Sequence, residues 1–155
     1  MQEIETMTLT RSQIVGETRD WIGTPYQHQA SLKGVGCDCL GLVRGVWRAV
    51  IGEEPERAPP YAPGWAEAAS GEPLADAAAR HLIAIERDTF RAGDVLLFRW
   101  RANLPAKHAA IVTSCGENRP DLMVHAHDGA AVAEVTIAPW WRRRLAYAFR
   151  FPGIE

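Results

Sequence analysis

The chain reads as an α+β domain in which helices come first and an antiparallel sheet follows. Three observations predict this. Apolar residues recur at helical spacing early on, at Ile14, Val15, Thr18, Trp21 and Ile22, and again at Leu42, Val43, Val46, Trp47 and Val50. Beyond about Ile83 the period changes to alternation in five short runs. Turn residues separate those runs, most clearly Asp128-Gly129, a hairpin signal. With 155 residues and 47% hydrophobic content, residues 1–155 suit a single domain with its own core.

Thr10-x-x-Gln13 is a capping box and opens the first helix, which Gly23 and Pro25 close. A rigid turn follows, Thr24-Pro25-Tyr26-Gln27-His28. The second helix starts at Asp38, whose carboxylate can accept the free N–H groups of the first turn. Gly34 and Gly36 are expected to turn the chain into it, and Gly52 to end it. Cys39 therefore takes the first helical position. The stretch from Glu53 to Gly71 is rich in Pro, Gly, Ala and Glu and is the longest irregular segment. Pro73 suits the first turn of a short helix reaching about Ile83. Strands are expected at about Asp94–Arg99, His108–Ser114, Leu122–His127, Ala131–Ile137 and Leu145–Phe149.

Composition narrows the function. Three cysteines, two of them as Cys37-x-Cys39, make no disulfide framework. The opening residues MQEIETMTLT lack the basic start and apolar core of a signal peptide, and no apolar run approaches a membrane span. Synthesis and retention in the cytoplasm is the expectation, unless something else carries the protein out. Net charge is −2; the acidic excess lies before Arg99 and a basic excess after it, mostly Arg142, Arg143 and Arg144 beside Trp140 and Trp141. That cluster reads as a solvated edge or a partner contact. One short basic run on a slightly acidic chain does not point to nucleic acid.

A thiol at a helix N-terminus is placed for nucleophilic chemistry, because the helix end favours the thiolate. A helix end is worth roughly 0.3–2 kcal/mol, which moves a thiol by about one pKa unit. A thiolate near neutrality therefore needs an imidazolium partner. A lone cysteine is more often plain core, so the histidines decide. His108 opens a strand, and His125 and His127 share one face of the next. If those strands pair, Cys39, His108 and His125 can form a relay. Cys37, Cys39, His108, His125 and His127 could also supply zinc ligands, but Cys-x-Cys lacks the usual Cys-x2-Cys spacing, and a metal is not expected.

Asp38-Cys39-Leu40-Gly41-Leu42-Val43 resembles the D-C-S-G-L-V nucleophile motif of the NlpC family of papain-like cell-wall endopeptidases. Gly23-Thr24-Pro25-Tyr26 resembles its G-x-P-Y turn, and Arg91-Ala92-Gly93-Asp94-Val95-Leu96-Leu97-Phe98 its P-G-D strand. His108-Ala109-Ala110-Ile111-Val112 is similar to H-V-G-I-Y, and Val124-His125-Ala126 to i-H-A. The five motifs stand in family order from about Arg11 to Phe149. The G-C-D-C-L-G-L variant looks more like the tail-associated members of phages and gene transfer agents.

The resemblance implies a papain-like α+β fold, with the nucleophile helix packed on a five- to six-stranded antiparallel sheet. It implies Cys39 as nucleophile, His108 as its base and acid, and His125 as the orienting third member, with His127 as the alternative. Tyr26 and Asp38 would stand at the oxyanion or substrate side. The implied substrate is the peptide stem of peptidoglycan, and no cofactor is implied. Tail or baseplate proteins are the implied partners, and the periplasm or wall of a target cell the place of action. Leu40 departs from the usual serine and leaves the cleaved bond open. Two other readings stand beside this one. The first is a structural tail component docking through Trp140 to Arg144; the second is a papain-like amidase or acyltransferase on another amide.

Overall fold

The computed structural model describes residues 8–56 and 71–154. Most of the irregular stretch read at about 53–71 lies outside the described residues. Helix α1 spans Arg11–Arg19, α2 Cys39–Val50, α3 Pro73–His81 and α4 Pro139–Arg142. The strands are β1 (Ser31–Leu32), β2 (Gly36–Cys37), β3 (Ile83–Ile85), β4 (Val95–Phe98), β5 (His108–Ser114), β6 (Leu122–His125), β7 (Ala133–Thr136) and β8 (Leu145–Arg150). Six of them form one antiparallel sheet in the order β3-β8-β4-β5-β6-β7, and β1 and β2 form a small hairpin.

The caps explain where the helices begin. Thr10 Oγ1 accepts the Gln13 N–H, and the Gln13 side chain accepts the Thr10 N–H, closing the capping box. Asp38 Oδ1 accepts the Gly41 N–H at 2.7 Å and caps α2. Leu42 and Val46 on α2 and Ile14 on α1 are fully buried against Val95 and Leu97 of β4 and Ala109 and Ile111 of β5. The alternate residues of the same strands, Leu96, Phe98, Ala110 and Val112, bury on the other face with Met123, Ala148 and Leu145. Both faces of the central strands are covered, so β4 reads as a continuous apolar run.

Asp94, fully buried just before β4, ties α1 to the sheet. It accepts the Arg91 N–H at 2.8 Å, closing the turn at Gly93, and pairs with Arg11 at 2.9 Å. One buried carboxylate thus serves a turn and an ion pair together.

Two sequence readings are corrected. The helix from Pro73 ends at His81 rather than near Ile83: Leu82 is already extended, and Ile83 pairs with Arg150 as β3. Gly36 is not a turn residue but lies in β2, where a Cβ would stand 2.5 Å from Gln27 Oε1; close approach, not turning, is its reason. Gly34, with φ +79, does make the turn, between β1 and β2. Among the described residues no helix is long and apolar enough to cross a membrane.

Candidate active site

The N-terminus of α2 meets the start of β5. Asp38 holds this corner with both carboxylate oxygens: Oδ1 caps Gly41, and Oδ2 accepts the Gln29 N–H at 2.7 Å, where Gln29 has φ +65. Its carboxylate is thereby committed to the turn that presents Cys39. Gly41 has no room for a side chain, because a Cβ there would stand 1.9 Å from the Ala30 carbonyl oxygen.

Cys39 Sγ donates to the Lys107 carbonyl at 3.7 Å. The backbone N–H groups of Ala109, Leu40 and Cys39 itself favour its charged form. The thiol thus lies against the backbone on both sides of His108. Burial pushes it up to about 11, with the Asp38 charge adding to this and the three N–H groups opposing.

His108 Nε2 and His125 Nδ1 are 2.8 Å apart. His127 lies outside this bond; it is exposed, with its ring centroid 5.6 Å from that of His108. Burial holds the His108 imidazole well below 6.5, with the charges of His125, His127 and Lys107 acting in the same direction. Burial and then His127 push His125 down to about 4. At neutral pH both imidazoles are therefore uncharged, and their shared bond has one donor and one acceptor. If His108 is to take a proton from Cys39, its free nitrogen must be Nδ1, the one nearer the backbone. Nε2 then carries the hydrogen toward His125 Nδ1, and His125 is protonated on Nε2.

Tyr26 comes to this corner through a parallel bridge to Cys37. The Cys37 N–H donates to the Pro25 carbonyl, and the Gln27 N–H to the Cys37 carbonyl. Burial, followed by the charges of Cys39, Asp38 and Asp128, raises the Tyr26 hydroxyl to about 12, so it remains a donor. Cys37 is fully buried in β2, pushed up to about 12 mainly by burial, and packs as core. Among the described residues no group of three or more His, Cys, Asp or Glu side chains is arranged to hold a metal ion.

The histidines sit in an aromatic enclosure that the sequence did not announce. The Trp141 ring lies 5.5 Å from His108 and stacks on it at 24°, and lies 5.2 Å from His125 at 89°. Trp100 lies 5.2 Å from His108 and 5.6 Å from His127. The cluster at residues 140–144 is therefore divided. Trp141 turns to the histidines, Arg142 pairs with Asp121, and Arg144 stacks over Trp140 at 3.7 Å.

No family model matches the sequence, and no curated protein does. Solved structures do match. The NlpC/p60 domain of the peptidoglycan hydrolase SagA aligns with a TM-score of 0.61 at 24% identity, over 91% of this chain and 98% of that one. An NlpC/p60 family protein from Bacillus cereus gives 0.63 at 18% identity, over 94% of this chain and 41% of that one. The fold is that of NlpC/p60 domains. NlpC2 from Trichomonas vaginalis gives 0.61 at 14% identity over 96% of this chain. This chain spans 48% of the Trichomonas protein and 41% of the Bacillus cereus one, less than half the length of each.

Proposed function

We propose that the protein is a cysteine peptidase that hydrolyses amide bonds in the peptide stems of bacterial peptidoglycan. The observation that carries this reading is the pairing of His108 Nε2 with His125 Nδ1 at 2.8 Å, beside a thiol at the head of α2 that touches the backbone on both sides of His108. The likeness to a peptidoglycan hydrolase domain supports the choice of substrate.

The mechanism follows from the placement. Turning the Cys39 thiol from the Lys107 carbonyl to His108 Nδ1 lets the proton pass to the imidazole. Separately, burial resists charging either group, but the transfer leaves the pair's net charge unchanged, so the two titrate as a unit. The thiolate, supported by N–H groups of the first turn of α2 and of Ala109, attacks the amide carbon. The Cys39 N–H and the Tyr26 hydroxyl face the developing oxyanion. His108 returns its proton to the leaving amine, and water attacking the thioester releases the acid. His125 holds the His108 ring in the required tautomer throughout.

A finer reading makes the protein a tail component of a phage or gene transfer agent, cleaving the wall locally as the particle delivers its cargo. It rests on the likeness of Gly36 to Leu42 to tail-associated members and is tested by probing purified particles with an antibody to this chain. The enzymatic reading is tested by digesting purified peptidoglycan with wild type and Cys39→Ala. Mass spectrometry should find new stem-peptide fragments with wild type only. Intact murein after incubation with folded wild type would overturn it.

A further inference from the structure

Trp141 touches more of the histidine chain than any catalytic reading of the sequence would require. It stacks on His108 at 24° and 5.5 Å, meets His125 edge to face at 89° and 5.2 Å, and lies 6.4 Å from His127. His108 and His125 are themselves nearly perpendicular, at 80°. One indole thus contacts both of the rings that share the hydrogen bond. Trp141 is supported in turn by Phe98 at 5.0 Å and Trp140 at 4.8 Å. It arrives from the short helix α4, far from the nucleophile in sequence.

We propose that Trp141 is a positioning residue that orients His108 and His125 and, through the face of its indole, favours the charged form of His108 during the reaction. A cation over an aromatic face is attracted by the ring's quadrupole, most strongly for tryptophan and where water is excluded. Stacking gives His108 this contact as it receives the Cys39 proton. The charged groups around His108 are Lys107 just before β5 and His125 and His127 from β6 and beyond, while the Cys39 thiol of α2 lies against the Lys107 carbonyl. The three cationic or potentially cationic ones oppose charge on His108, so Trp141 supplies what they withhold. This inference rests on the reading of Cys39 and His108 as the reacting pair.

The test uses Cys39 itself, so it does not depend on the murein assay. Wild type, Trp141→Leu and Trp141→Phe are alkylated with iodoacetamide from pH 5 to 11, and labelling of the Cys39 peptide is followed by mass spectrometry. Leucine keeps an apolar cover without a ring, and phenylalanine keeps a ring. Trp141→Leu should label about fivefold more slowly near pH 7, an effect of the size expected for a partly desolvated cation–π contact. Its rate should converge with wild type near pH 11, where the thiolate no longer needs an imidazolium. Trp141→Phe should recover most of the rate. Equal profiles for all three proteins would overturn the proposal, as would a loss even at every pH, which marks a general distortion. If Trp141→Leu does not fold by circular dichroism, Trp141→Met takes its place under the same criteria. Murein left intact by wild type, with the Trp141 dependence of labelling present, would remove the peptidase reading and leave this one standing.

Discussion

Replacing Gly41 by alanine tests whether the corner between α2 and the turn before it has the geometry described. The new Cβ would stand 1.9 Å from the Ala30 oxygen, 3.0 Å from its carbon and 3.1 Å from Asp38 Oδ1, and real Cβ contacts essentially never fall below 3.0 Å. The turn or the helix start must therefore move by about 1 Å. That same Ala30 carbonyl accepts the Asp38 N–H, Asp38 caps Gly41, and Ser31 Oγ donates to the Gly41 carbonyl at 2.6 Å. Overpacking costs about 1–3 kcal/mol and a weakened cap about 1 kcal/mol, while alanine's helix propensity returns about 1 kcal/mol. The net loss is about 1–3 kcal/mol, read by urea unfolding. Peptidase activity should fall further, about 10²-fold, because a 1 Å displacement of a reacting group costs that much. Gly16→Ala is the control: Gly16 is exposed in α1 with nothing within 4 Å of the added Cβ, and the change should stabilise by up to about 1 kcal/mol. Gly41→Ala behaving like Gly16→Ala would refute the packing argument.

Three further outcomes follow from the site. His125 is pushed from 6.5 to about 4 in the folded protein, so the unfolded chain binds the extra proton first and stability should fall as pH drops from about 6.5 toward 4. The gap corresponds to about 3 kcal/mol, and His125→Gln should flatten that part of the curve in urea unfolding at several pH values. Tyr26→Phe should lower kcat about 10²-fold with little change in KM, the signature of a donor used mainly in the transition state; a change in KM alone would place Tyr26 in ground-state binding instead. His125→Ala should reduce kcat by at least about 10²-fold, whereas His127→Ala, which removes no hydrogen bond to His108, should stay within about twofold; equal losses would mean that His127 shares the orienting role.

What could be read from the sequence was what local chemistry determines. The Thr10–Gln13 box and the Asp38 cap are side-chain-to-backbone bonds within three residues, so spacing alone announces them. β5 spans His108–Ser114 as read, but six of its seven residues are buried, so no alternation of burial marks it. β1, β2 and β3 were missed because strands of two or three residues carry no period. The choice between His125 and His127 shows a different limit. The β5–β6 register, Ile111 opposite Val124 and Val112 opposite Met123, continues to place residue 127 across from His108. The strand ends at His125, however, and the hydrogen bond runs diagonally to it. The sequence places Trp141 only in a solvated basic edge or a partner contact, because nothing in WWRRR says which tryptophan turns inward. That depends on where α4 meets the sheet, which only the assembled fold specifies.

Trapping the acyl-enzyme shows whether Cys39 is the nucleophile. Wild type is mixed with a purified stem peptide, quenched in acid after milliseconds to seconds, and weighed intact, with the modified residue located by peptide mapping. The expected result is a transient mass increase equal to the acyl half of the substrate, carried on Cys39 as a thioester, absent from Cys39→Ala and strongly reduced in His108→Ala. Cleavage products released by Cys39→Ala at the wild-type rate, or an acyl group carried on another residue, would contradict it.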